Sequence, residues 1–450
     1  MGKIFGTDGI RCLVNQEPLT ADNTLKISKT VGYLLKSKNK NNSRVVISKD
    51  TRLSGYLYEP LITAGFISMG LEVILVGPLP TPAVPHLMRT LRADIGVMIT
   101  ASHNTYEYNG IKFFNKDGFK ISSKLENQIE DIVLNQSKYS KIINSEIITG
   151  KAIRLEDASG RYSEFLKSTL NKKLKTKKLK IVLDCGNGAT YDIAPNIFWE
   201  LGHEVLSINN KPNGKNINDN CGAVNVSKLS KKVVEEKADI GFAFDGDGDR
   251  LIIVDNSGNE IDGDKIIALF ANNFIKNKKF KSKFPVVTTV MSNLGLEHFL
   301  NKSLGIKLKR SSVGDINVIK EMQKYDSVLG GEQSGHLILS EFSKTGDGIL
   351  AALKVIEIIS QTKKSSSSIF DLYENFPQIK LNIPYKKISK KNINYIKNIN
   401  KKKIAGKNIR ILIRLSGTEP LIRLLVEGKE LKLVKYYAKI LENDIRKNLE

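Results

Sequence analysis

The sequence predicts an α/β protein: three related α/β domains with mixed sheets plus a distinct C-terminal α+β domain, arranged around a central active-site cleft. Three observations predict it. Short, continuously apolar, β-branched runs alternate with helix-length amphipathic stretches, the pattern of βαβ units covered on both sheet faces. That theme restarts twice, then gives way past residue 365 to strand-like runs closed by a helix. Four loops rich in Gly, Ser, Asp and Arg lie near positions 102, 247, 334 and 417, one per unit. The expected arrangement is a single cleft to which each unit lends one loop.

In the first unit, expected over residues 1–152, RVVISKD (44–50) and LEVILVG (71–77) read as strands with the helix GYLYEPLITAGFISMG (55–70) between them. A proline-rich turn then leads into the strand DIGVMIT (94–100). The second unit, 153–254, opens with LKIVLDCGNGAT (179–190), followed by a helical stretch to Leu201 and the strand HEVLSI (203–208). The third, 255–366, repeats this with PVVTTVMS (285–292), a helix through Leu304 and IKLKRS (306–311). Lys363 and Lys364, followed by Ser365 to Ser368, read as a linker. The fourth unit, 367–450, carries IKLNIPY (379–385), NIRILIRLSGTEP (408–420) and LIRLLVEG (421–428) before a final helix. No period of 20 to 50 residues is evident, which excludes a solenoid.

The 450 residues exceed one ordinary core and predict several domains. The chain has no apolar run long enough to span a bilayer, and MGKIFGTDGIRC lacks the apolar core of a secretory signal. Cys12, Cys185 and Cys221 are widely spaced without a CxxC pair, so neither zinc nor a disulfide framework is indicated. A reducing cytoplasm is the expected location. The net charge of +23 comes from 70 Lys and Arg against 47 Asp and Glu. It accompanies a Lys/Asn/Ile bias, as in KKISKKNINYIKNINKKK (386–403), and not one basic face. A nucleic-acid or membrane partner is therefore not expected, whereas anionic small molecules suit the charge.

The most specific motif is AFDGDGDRLIIVD (243–255). Asp245, Asp247 and Asp249 alternate with glycines whose freedom lets three carboxylates converge on one hard cation. An EF-hand is excluded by Arg250 at its sixth position and Asn256 at its twelfth. RLSGTEPLIR (414–423) supplies Arg414, Ser416, Gly417, Thr418 and Arg423, the charged and hydroxyl donors that surround a phosphate. In GGEQSGHLIL (330–339), Glu332, Ser334 and His336 suit sugar hydroxyls, and a turn ending in a strand-end histidine reads equally well. IFGTDGIR (4–11) places Arg11 after a glycine-bracketed turn. VMITASHNTYEYNGIKFFN (97–115) breaks from a buried strand into Ser102-His103, which alone reads as a capped turn. A metal loop, a phosphate cradle and this serine together define phosphoryl transfer. Neither a GxSxG elbow nor a Walker P-loop is present.

TASHN with NGIKFF, then DGDGDR, GEQSGH and RLSGTEPLIR, resemble in order and over essentially the whole chain the α-D-phosphohexomutase superfamily. FGTDGIR, MSNLGLE (291–297), DCGNGATYDIAPNIFWELG (184–202) and the Gln of GEQSGH are similar to its branch acting on glucosamine phosphates, the phosphomannomutase/phosphoglucomutase branch being the alternative. The resemblance implies Ser102 as a phosphoserine and Ser102, Asp245, Asp247 and Asp249 around one Mg²⁺. It implies catalytic roles for Arg11, His103, Lys112 and Arg250, and substrate binding by Glu332, Ser334, His336, Arg414, Ser416, Gly417, Thr418 and Arg423. The implied activity converts glucosamine 6-phosphate to glucosamine 1-phosphate through a hexosamine 1,6-bisphosphate, feeding UDP-N-acetylglucosamine and cell-wall precursor synthesis, in a monomer or homodimer. Three letters depart from the family pattern: Thr105 replaces the proline of TASHNP, Cys12 the glycine of GIRG, and Ile316 the arginine of VGDR.

Overall fold

The computed structural model describes residues 4–6, 8–36, 43–143, 149–171, 177–276, 284–362, 364–385, 409–415 and 420–448. Among them four sheets form. The first is mixed, in the order Ile10–Leu13, Tyr108–Phe114, Ile95–Ile99, Arg44–Lys49, Glu72–Pro78, Ala152–Arg154. Its inner strands are parallel and Tyr108–Phe114 runs antiparallel to both neighbours. Strand Ile95–Ile99 is buried throughout, as its unbroken apolar sequence requires.

The second sheet orders Glu260–Ile261, Leu251–Asp255, Ile240–Phe244, Lys180–Asp184 and Glu204–Ile208. The third orders Leu308–Ser311, Val286–Thr289, Leu329–Gly331 and Leu337–Leu339. Each again joins a parallel set to an antiparallel strand. The helix expected to reach Leu304 is two short pieces: an α-helix over Leu294–His298, capped by the Asn293 side chain, and a π-helical turn over Phe299–Ser303.

The stretch read as a linker is partly a helix, Ser366–Phe370. Ser365 caps it, Ser366 Oγ donates to the Asp239 carbonyl at 2.6 Å, and Ile369 and Phe370 are buried. Serine favours an N-cap as much as a linker, and the two apolar residues behind it decide the outcome. The last sheet is antiparallel, with Leu421–Gly428 between Gln378–Pro384 and Ile409–Leu415, backed by helix Leu431–Lys447. No helix among the described residues is long and apolar enough to cross a membrane.

One continuous core runs through all three larger sheets, so their loops are fixed relative to one another. The Ser102, Asp245 and Glu332 loops each follow the carboxyl end of a central strand: Ile95–Ile99, Ile240–Phe244 and Leu329–Gly331. That is where open α/β sheets place ligands.

Candidate active site

The serine loop is laced down by its backbone. Thr100 Oγ1 donates to Asp50 Oδ2 at 2.6 Å and accepts from the Ser102 N–H at 2.8 Å. Arg52, buried and paired with Asp50 at 2.9 Å, sends its guanidinium to the carbonyls of Ser102 (3.1 Å), Asn104 (2.7 Å), Tyr108 (3.0 Å) and Thr105. Asn218, from the second unit, donates to the carbonyls of Ser102 and Asn104, both at 2.8 Å. Ser102 itself sits at φ +50°, a left-handed conformation uncommon outside glycine. Its Oγ donates to Asp245 Oδ2 at 2.8 Å and lies 3.4 Å from His103 Nδ1.

The aspartate loop is enclosed in the same way. The carbonyls of Gly246, Asp247 and Gly248 accept from the N–H groups of Ala189, Thr81 and Gly348, at 2.8, 2.8 and 3.0 Å. A Cβ on Gly246 would stand 2.6 Å from the Ser102 carbonyl, so only glycine lets the two loops meet. One carboxylate oxygen from each of Asp245, Asp247 and Asp249 falls within 4.8 Å of the others, all buried. Burial, then Asp249 and Asp247, hold the Asp245 carboxyl well above its ordinary range.

Lys112 Nζ lies 2.8 Å from Asp247 Oδ2 and 3.2 Å from both Asp249 Oδ2 and Asp8 Oδ2. Burial opposes its charge, but Asp247, Asp249 and Asp8 outweigh burial and hold its pKa well up. The Oδ1 atoms of Asp247 and Asp249 stay buried without a hydrogen-bond partner. Two orphaned carboxylate oxygens beside a third carboxylate fit a divalent cation, which prefers hard oxygen donors.

His103 and His336 flank the cluster in different states. Burial first, then Arg250 and Arg11, bring the His103 pKa down to about 4, so its ring is neutral at pH 7. His336 Nδ1 lies 3.6 Å from Asp249 Oδ1. Burial lowers the His336 pKa, yet Asp249 and Asp315 raise it by more. Its Nε2 accepts from the Gly346 N–H at 3.1 Å, which favours the neutral ring with its proton on Nδ1, toward Asp249.

Arg250 pairs through its backbone with His336 across the second and third units. Its Nε lies 3.8 Å from Asp245 Oδ2 and 3.9 Å from Asp249 Oδ1. Arg11 donates to Asn104 Oδ1 and Asp8 Oδ2, both at 3.1 Å. Glu332 is buried and accepts from the Gly314 N–H at 3.1 Å, while Ser334 is exposed. Arg414 and Arg423 are register partners on adjacent strands. Burial, then Arg423, pull the Arg414 pKa down. Like charges opposed across a ladder repel, and an anion between them would relieve that. Ser416, Gly417 and Thr418 lie outside the described residues.

Several site groups escaped sequence reasoning. Arg52, Thr81 and Asn218 sit in segments without motif spacing and reach the loops only through tertiary contacts. Lys120 pairs with Asp8 and Asp315, joining the first unit to the third. Asp8 alone had a signal, since it lies inside the FGTDGIR motif.

Family models for the phosphoglucomutase/phosphomannomutase α/β/α domains I, II and III match residues 2–140, 160–258 and 262–376. The model for that family's C-terminal domain matches residues 379–443. The chain is 46% identical over 433 residues to a phosphoglucosamine mutase of Zymomonas mobilis, covering 96% of each. It is 43% identical over 454 residues to one of Pelobacter propionicus, covering 100% of this chain and 99% of the relative. A phosphoglucomutase/phosphomannomutase family protein of Burkholderia thailandensis shares the fold with a TM-score of 0.80 at 24% identity, over 97% of this chain and 95% of that one. An N-acetylphosphoglucosamine mutase of Aspergillus fumigatus, solved with GlcNAc-6P and magnesium, superposes with a TM-score of 0.67 at 16% identity, over 100% of this chain and 96% of that one.

Proposed function

The chain belongs to the phosphoglucomutase/phosphomannomutase family, and from that premise we propose that it interconverts glucosamine 6-phosphate and glucosamine 1-phosphate. It is an isomerase of the phosphohexomutase type, and the near-full-length phosphoglucosamine mutase relatives support the amino sugar as substrate. The observation that carries the reading is Ser102 Oγ, 2.8 Å from Asp245, within a cluster of three buried aspartates.

In this reading Ser102 carries a phosphoryl group and gives it to O1 of the 6-phosphate sugar. The P–Oγ bond breaks as the P–O1 bond forms, leaving a 1,6-bisphosphate. The bisphosphate turns over in the cleft and returns its 6-phosphoryl group to Ser102, releasing the 1-phosphate. Asp245, Asp247 and Asp249 would hold one Mg²⁺, which supplies positive charge against the oxygens of the transferring group. Neutral His103, beside Ser102 Oγ, gives the site a proton acceptor, and charged Lys112, among Asp247, Asp249 and Asp8, a donor. Arg11 and Arg250 lend fixed positive charge at the cluster edge. Glu332, with Ser334 and His336 on its loop, reads the sugar, while Arg414 and Arg423, with Ser416, Gly417 and Thr418, take the phosphate that is not reacting.

The division at residues 1–152, 153–254, 255–366 and 367–450 gives each unit one of these loops. The assembly that goes with this reading is a monomer or a homodimer. The free thiols Cys185 and Cys221 are buried and suit a reducing cytoplasm.

The test is a mutase assay with Mg²⁺ on glucosamine, glucose and mannose 6-phosphates, with Ser102→Ala as control. The expected result is turnover fastest on the glucosamine ester, lost by at least about a thousandfold in Ser102→Ala. Equal activity in that variant would overturn the assignment of Ser102, and a faster rate on mannose or glucose esters would overturn the substrate.

A further inference from the structure

The C-terminal sheet has two unlike faces. Ile383, Ile413, Ile422 and Val426 pack with Val434 and Ala438 of the terminal helix. Side chains alternate along a strand, so Arg410 and Arg414 both face away from that core. Their register partners on the same side are Glu427 and Arg423. The polar face therefore carries an ion pair at one end and two opposed arginines at the other.

The ion-pair end grips the third unit. Arg410 Nε pairs with the fully buried Glu427. Arg410 Nη1 donates to the Val290 carbonyl at 2.7 Å and Nη2 to the Ser292 carbonyl at 3.0 Å. The Ser292 carbonyl also accepts from Arg310 Nη1 at 2.6 Å, and Arg310 pairs with Glu297 at 3.0 Å. Two arginines from different units thus share one acceptor, each balanced by its own glutamate. The next residue, Asn293, exchanges hydrogen bonds with the Phe376 backbone, donating at 3.0 Å and accepting at 2.9 Å, so the connection into the C-terminal unit is pinned at the same place.

We propose that Arg410 is a positioning residue for the mutase reaction: by keying the polar face of the C-terminal sheet to the 290–292 backbone, it sets where Arg414 and Arg423 meet the non-reacting phosphate. This rests on the phosphate-binding role given to those two arginines above. Arg414 lies four positions along the strand from Arg410, roughly 13 Å, so Arg410 acts through the sheet and not by touching substrate. A planar fork that reaches two carbonyls and a carboxylate at once cannot be copied by an ammonium group. Misplacement of a binding group by about 1 Å is enough to cost a large factor in positioning.

The experiment compares wild type, Arg410→Lys and Arg410→Gln by steady-state kinetics with Mg²⁺ and glucosamine 6-phosphate, alongside thermal unfolding. Arg410→Lys, which keeps a positive charge for the buried Glu427, is expected to unfold within a few degrees of wild type, and Arg410→Gln at a lower temperature because it leaves that carboxylate to Gln378. Both are expected to raise KM at least about tenfold and change kcat by less than about threefold. Should Arg410→Gln not fold, Arg410→Lys carries the comparison. An unchanged KM, a loss in kcat at constant KM, or failure of both variants to fold would each overturn the inference. Absence of activity in wild type would instead overturn the proposed function, which keeps the two apart.

Discussion

Ser102 is a strained residue held by neighbours that no motif contains. Its left-handed backbone is a conformation that costs on the order of 1–3 kcal/mol and persists only where surroundings impose it. Arg52 and Asn218 impose it through the carbonyls at 102 and 104. Arg52→Met would remove the guanidinium donors and leave the buried Asp50 without its counter-charge, so a loss of about 3–5 kcal/mol in urea unfolding is expected; a loss below about 1 kcal/mol would contradict the account. The same contacts explain Thr105. The turn is gripped through the carbonyls of residues 102, 104, 105 and 108, which threonine and proline supply alike. Cys12 turns its thiol to the carbonyls of Leu13 and Gln16. Ile316 leaves no cation beside Asp315, and Lys120 supplies one from the first unit.

At the scale of elements, the third unit holds a carboxyl with a distinct pH signature. Asp264 stands near the start of helix Gly263–Lys276, accepts from the Asn293 N–H at 2.7 Å and is raised to about 7, first by burial and then by Asp262. A folded-state pKa above the unfolded one means that the protonated form favours folding. That contribution is fully present below about pH 4 and lost as pH rises through about 7. Asp264→Asn should therefore flatten the stability profile between those values, gaining on wild type by on the order of a few kcal/mol above pH 7. Parallel profiles from urea titrations would refute this.

Strands and loop motifs were legible because they depend on local pattern: an apolar run such as Ile240–Phe244 is buried wherever it goes, and DGDGDR needs only its own glycines. Lys120, Asn218 and Arg410 were not legible, because their partners lie 195, 116 and 120 positions away and only the assembled sheets choose them. Ser365 to Ser368 misled because capping and linker sequences share composition, and the difference lay in the buried Ile369 and Phe370.

On the scale of the whole molecule, three units joined through one core bring Ser102, the aspartates and Glu332 together, and a fourth is keyed on through Arg410. The aspartate cluster concentrates negative charge within a chain of net charge +23, and the orphaned oxygens of Asp247 and Asp249 fit a cation. Mg²⁺ should raise the melting temperature, by an amount equivalent to about 2.7 kcal/mol at a hundred times its Kd, and should not do so in Asp247→Asn/Asp249→Asn. An equal shift in both proteins would place the ion elsewhere. The central claim, that Ser102 carries the phosphoryl group between the two positions of the sugar, is tested most directly by peptide mapping after turnover. Wild type mixed with a phosphate-labelled hexose 1,6-bisphosphate and Mg²⁺ should show one labelled phosphoryl group on the Ser102 peptide; added glucosamine 6-phosphate should carry that label away as labelled glucosamine 1-phosphate, while its own 6-phosphoryl group restores the phosphoserine. Phosphate found on another residue, or label that stays on Ser102 in the presence of the sugar phosphate, would contradict it.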